Sequence, residues 1–161
     1  MSISEIIIKM IDFSNGNLHD INHFMKVYAY AKLIGENEKL DSETQELLEV
    51  AAVVHDIACP LCREKYGNTN GKYQEEEGAI LVEKFLEDSG YSKEFINRIV
   101  FLVGHHHTFT DIDGKDYQIL IEADYIVNAD ESNYSEKNIE NALEHIFKTN
   151  TGIQLLKSMY K

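Results

Sequence analysis

At 161 residues, 43% hydrophobic and 27% charged, the chain has the size and apolar content for one globular domain with a substantial core. Its formal net charge of −13 repels polyanions, which argues against binding to nucleic-acid polymers or an anionic membrane surface; small phosphates stay open, because a bound divalent cation would reverse the field locally. Cys59 and Cys62 are too few for a disulfide-stapled secreted fold, and Glu5, Lys9 and Asp12 break the opening stretch MSISEIIIKMIDF as a signal peptide or membrane span, so a cytoplasmic protein is expected.

A single proline and apolar spacings of three and four from end to end predict an all-α chain, without repeats or linkers. Ser2 and Glu5 form a capping-box pattern that opens a first helix to about Phe13, closed by the turn Ser14-Asn15-Gly16-Asn17. A second helix is expected from about Asp20 to Ile34, ending at Gly35, with His23, Val27, Ala31 and Ile34 on one face. The third starts near Asp41 or Ser42 and carries Leu47, Leu48, Ala51, Val54 and His55. It is expected to stop around Ala58, because Pro60 disfavours helical geometry at Cys59.

The segment LCREKYGNTNGKYQ, rich in Gly, Asn and charge, then predicts a long loop that serves as a lid or rim. A fourth helix is expected from about Gln74 to Ser89, and Ser92 caps a fifth in which Phe95, Ile99, Leu102 and His106 share a stripe. The sixth reads DYQILIEADYIVNADE, with Leu120, Asp124 and Val127 on one face. A seventh, from about Ser135 to Lys148, and a short closing helix from about Thr151 read as structural.

The stretch AAVVHDIACP sets a histidine and an aspartate side by side at the end of an apolar run. An ionised carboxylate without a partner in such surroundings is strongly disfavoured. His23, His55, Asp56, His106 and Asp124 come from four predicted helices, each in or beside an apolar stripe. A divalent cation would satisfy both carboxylates and the neutral imidazoles at once. On a helix, His55 and Asp56 would sit about 100° apart, close enough for one ion near the helix end.

His23 in an early helix, the dipeptide His55-Asp56 and Asp124 inside EADYI resemble the HD superfamily of metal-dependent phosphohydrolases, named after that pair. The similarity spans roughly Asp20 to Asp130; HDIA stands where relatives usually show His-Asp-Ile-Gly, and GHHHT where many carry His or His-His. The resemblance implies an HD-domain-like bundle of about six to eight helices and divalent metal on His23, His55, Asp56 and Asp124. It also implies hydrolysis of a small phosphoester, often a nucleotide. Two-metal relatives place another histidine before a Gly-Ala pair in the next helix; here YQEEEGA puts Gln74 in that place, so one ion per chain is expected rather than two, with Glu75 or Glu77 as further oxygen donors. The alternative for the EEE run is favourable charge in a helix's first turn.

Among the three consecutive histidines, the stripe points to His106 as a metal ligand and His105 as second, with His107 at the rim or in solvent. The ion is Mn, Fe, Co, Ni, Zn or Mg, since such a ligand set accepts several. For hydrolysis, Asp56 or Asp124, or Glu64 or Glu75 from further out, would take the proton of the attacking water, and His105 or His106 would assist the leaving oxygen. Arg63, Lys65 and Lys72 follow the His-Asp pair and are candidates for phosphate contacts, with ordinary surface charge as the alternative. A small phosphorylated molecule is the expected partner, and a homo-oligomer is left open. Two other classes stay in view: a di-iron oxygenase of the same fold, which needs a second metal, and a metal- or nucleotide-binding module without turnover. Cys59-Pro-Leu-Cys62 lacks the second cysteine pair of a zinc site, and Gly67, Gly71 and Gly78 match no phosphate-loop spacing.

Overall fold

A computed structural model describes residues 1–161 as nine helices without strands: α1 Ile3–Phe13, α2 Leu18–Asn37, α3 Ser42–Val54, α4 Cys59–Tyr66, α5 Gly71–Leu86, α6 Lys93–Val103, α7 Lys115–Glu131, α8 Glu136–His145 and α9 Asn150–Met159. Their starts follow local chemistry. Ser2, Asn17, Asp41, Ser92, Ser135 and Thr149 each accept a backbone N–H of the first turn, and the Ser2–Glu5 capping box is formed. No helix is long and apolar enough to cross a membrane.

The centre of the fold is α3, which packs against α1, α2, α6 and α7. Its residues from Leu47 to Val54 are all buried, as is nearly all of α7 from Asp116 to Val127. Full burial of each Val or Ile in VVHDI is worth about 1.5–3 kcal/mol, so the apolar residues on either side pull His55 out of water with them.

Four expectations about local structure are corrected. Helix α2 continues through Gly35 to Asn37, because that glycine meets a neighbour instead of ending the helix: a Cβ there would collide with the Gln45 side chain. Helix α3 stops at Val54, so His55 and Asp56 lie in the turn that follows it. The expected loop contains α4, with Pro60 in its first turn, where a missing N–H costs nothing, and Gly67 closing it at φ 74°. Helix α5 consequently starts at Gly71.

Candidate metal centre

Helix α2 presents His23 inward, one turn before Val27 and two before Ala31, both fully buried. On α7, Asp124 sits among Leu120, Ala123 and Val127, and the packing of α2 on α7 sets the two side chains face to face. His23 Nε2 lies 3.1 Å from Asp124 Oδ1 and 3.1 Å from Asp56 Oδ2. His55 Nε2 lies 3.2 Å from the same Asp124 oxygen and 3.3 Å from Asp56 Oδ1. The turn after α3 thus closes a ring of two imidazoles and two carboxylates drawn from three parts of the chain. A third imidazole joins it from the turn after α6, where His106 Nε2 is 3.4 Å from Asp56 Oδ1.

The outer ring nitrogens of these histidines are all engaged. His55 Nδ1–H donates to the Ala52 carbonyl and His106 Nδ1–H to the Val103 carbonyl, both at 2.7 Å, while His23 Nδ1–H donates to Glu131 Oε1 at 2.5 Å. With Nδ1 protonated, the neutral ring directs its Nε2 lone pair at the centre, an arrangement typical of metal-bound imidazole. Buried His106 Nε2 has no hydrogen-bond partner in the chain, and an Asp56 oxygen lies 3.4 Å from it, a pairing that suits two donors to one cation.

Without a cation, protons must do this work. Burial alone would lower the pKa of His23, but hydrogen bonds to Asp124 and Asp56 push it up to about 11. For His55 burial also acts downward, and the charges of Asp56 and Asp124 overcome it, raising the ring to about 10. Burial would raise both aspartates; the charge of His55, with hydrogen bonds from the surrounding rings, instead holds them below the ordinary carboxylate range. The Nε2 atoms of His23 and His55 stand only 3.3 Å apart, so protonating both would set two positive rings nose to nose. One dication balances the same two carboxylates and accepts lone pairs from both rings, so the donor set fits a divalent metal better than it fits protons.

The cluster opens into a cavity of about 350 Å³ lined in part by His19, Asp20, Arg63, Gln74, His107 and Glu131. Asp56 faces it with its side chain 22% accessible. Arg63 stands at this cavity and forms two bonds of 2.7 Å to the Asp20 carboxylate. Cys59 also lines it, and burial raises its thiol pKa, which keeps the sulfur protonated.

The structure does not bring every predicted residue here. His105 turns away: its Nδ1–H donates to the Phe101 carbonyl, its ring stacks on Phe101, and with Lys72 it lines a separate groove of about 700 Å³ between α5 and α6. Lys65 is on the surface, paired with Glu77 at 2.7 Å. Glu75 acts as a brace, its carboxylate accepting the His107 backbone N–H and the Thr108 hydroxyl. Its place is therefore beside the histidine turn, with no contact to the cluster. His107, expected at the rim or in solvent, reaches the cavity, and one donor atom each from Asp56, His106 and His107 lies within 4.8 Å of the others. The reason is that α6 ends at Val103, after which consecutive side chains no longer step around a helix. His107 Nε2–H donates to Gln74 Oε1 at 2.9 Å, and burial with the charge of His106 lowers its pKa to about 4, leaving the ring neutral.

Two residues escaped the sequence reading. Asn128 lines the cavity, and Glu131 orients His23; they follow Asp124 by four and seven positions, so the i, i+4, i+7 spacing on α7 already carried the signal.

The HD domain family model matches residues 20–143. A crystal structure at 1.45 Å described as that of a predicted HD superfamily hydrolase from an uncultured Thermotogales bacterium is similar with a TM-score of 0.70 and 23% identity, covering 98% of this chain and 84% of that one. At that identity the likeness is one of fold. No curated protein matches the chain.

Proposed function

This chain belongs to the HD domain family, a superfamily of metal-dependent hydrolases, and from that premise we propose that it hydrolyses a small phosphomonoester, with nucleotides as the first class to test. The observation that carries the reading is the convergence of Nε2 atoms from His23, His55 and His106 with the carboxylates of Asp56 and Asp124, one of those nitrogens being buried without a hydrogen-bond partner.

His23, His55, Asp56 and Asp124 would hold the ion, with His106 beside Asp56. Bound there, a divalent cation supplies Lewis acidity: it lowers the pKa of water and offsets charge on phosphoryl oxygens. Asp56 and Asp124 both line the cavity, and Asp56, the more accessible of the two at 22% of its side chain, is placed to orient an attacking water by accepting a hydrogen bond from it. Arg63 offers a planar fork to a phosphate at the cavity wall and must release Asp20 to use it. Glu131 fixes the His23 ring, and Gln74 fixes that of His107.

The donor set Asp56, His106 and His107 supports a variant of this reading with a second ion sharing Asp56. The bond from His107 to Gln74 competes with it. Metal content after purification without chelator decides the number, and two irons per chain would point to oxygenase chemistry instead. A panel of nucleoside monophosphates and 4-nitrophenyl phosphate tests the reaction. The wild type is expected to release phosphate, and His55→Ala and Asp56→Asn are expected to lose metal and about a thousandfold or more in rate. Retention of wild-type metal and rate by both variants overturns the site, and binding without phosphate release across the panel overturns the reaction.

A further inference from the structure

The cluster borders two cavities, and their chemistry differs. Both include His107, Asp124 and Asn128 in their walls. The one already described is ionic, with Arg63, Asp20 and Glu131, and suits a cation and a phosphate. The other, of about 300 Å³, lies on the α7 and α8 side and has no lysine, arginine or glutamate in its wall. Phe109, Tyr125, Tyr134 and three asparagines form much of it.

We propose that this second cavity binds the alcohol part of the substrate, and that this part carries an uncharged planar ring stacked on Phe109. The assignment rests on the phosphohydrolase reading above. Phe109 is 48% exposed and stacks on no other ring, whereas Tyr125 packs against Tyr134 at 5.4 Å and Phe147 at 5.5 Å. An aromatic face left in water at the edge of a cavity gains both apolar burial and ring-to-ring attraction when a planar group covers it.

The amides narrow the choice further. Asn138 already accepts the Tyr125 hydroxyl, through both its backbone carbonyl and its side-chain Oδ1. The Asn128 and Asn141 side chains make no hydrogen bond within the chain, and each offers a donor and an acceptor to a ligand. A second phosphate or a carboxylate on the alcohol would find no lysine or arginine in this cavity, within a chain of net charge −13. The preferred substrate is therefore a monoester of an alcohol bearing a neutral aromatic or heteroaromatic ring, and a second anionic group on the alcohol is disfavoured.

Steady-state kinetics on the metal-loaded protein compare 1-naphthyl phosphate with glycerol 3-phosphate, which has no ring. Phe109→Ala is expected to raise KM for 1-naphthyl phosphate about tenfold, leave kcat and glycerol 3-phosphate kinetics within about twofold, and be rescued by Phe109→Trp. Phe109 is exposed, so the variant loses no core contact. An unchanged ratio between the two substrates in Phe109→Ala overturns the cavity assignment while leaving the reaction standing. If the wild type hydrolyses neither ester, the reaction is judged on the nucleotide panel above, and titration with 1-naphthol decides the cavity separately. Shifts of the Asn128 and Asn141 side-chain amide resonances, lost in Phe109→Ala, uphold it; their absence overturns it.

Discussion

Glu131 gives the sharpest test of the candidate metal centre, because it bonds His23, a proposed ligand, from behind and no other residue of the cluster. Its side chain is 14% accessible, accepts His23 Nδ1–H at 2.5 Å and lies 3.8 Å from the Lys26 ammonium. Glu131→Ala removes a charge-assisted hydrogen bond worth about 1.5–3 kcal/mol, leaves the His23 ring free to turn, and leaves Lys26 as an uncompensated positive charge nearby. Loss of such an outer partner typically weakens metal affinity by about 10–100-fold, or about 1.4–2.7 kcal/mol, so the two routes to the magnitude agree. Glu131→Gln keeps an acceptor oxygen for Nδ1–H and is expected to recover roughly half of that free energy. Competition titrations of Mn²⁺ or Zn²⁺ against a chromophoric chelator measure the effect, with far-UV circular dichroism confirming the helices. Asp124→Asn, which alters a ligand itself, should bind more weakly than either. A dissociation constant for Glu131→Ala within about twofold of wild type would refute the claim that this contact aims His23 at a metal.

In chelator, the raised pKa values of His23 and His55 make a stabilising contribution that is complete below their ordinary value near 6.5 and is lost as pH rises toward about 10 and about 11. The urea midpoint of the metal-free protein should therefore fall from pH 7 to about pH 9.5, and a flat or rising curve contradicts the assignment. Metal binding at pH 7 should expel about two protons, read by calorimetry in buffers of different ionisation enthalpy; a value near one assigns a single proton shared between the two Nε2 atoms, and a value near zero refutes protonated rings in the metal-free cluster. Away from the centre, fully buried Glu122 accepts the backbone N–H groups of Lys148 and Thr149, the Thr149 hydroxyl and the Gln118 amide. Glu122→Ala strands those donors at the start of α9 and should lower stability by about 3–5 kcal/mol in urea unfolding, with a loss under about 1 kcal/mol as the contrary result. Arg63→Ala should raise KM for a phosphomonoester about tenfold with metal content unchanged, and an unchanged KM would reduce Arg63 to a surface partner of Asp20.

Several of these groups were visible in the chain before any coordinates. Helix starts are local events: Ser2, Asp41, Ser92 and Ser135 cap the helices they precede because a side-chain oxygen reaches a nearby N–H whatever the rest of the protein does. Burial of His23, His55, His106 and Asp124 followed from their place in apolar stripes, since a stripe marks the side of a helix that leaves water. Pro60 misled because the same residue ends one helix and is well suited to the first turn of another, and the choice depends on what the following turn packs against.

Residue types, helix periodicity and the adjacency of histidine and aspartate thus determined that this chain is helical and buries histidine and aspartate side chains of the kind that can ligate a metal, because those properties depend on neighbours within a turn or two. Tertiary structure alone decided that Asp124 meets His55 at 3.2 Å, that His107 and not His105 reaches the cavity, and that Arg63 is held by Asp20. These contacts join residues tens of positions apart or lie in turns beyond helix ends, where a regular repeat no longer predicts direction and the packing of α2, α3 and α7 sets every distance.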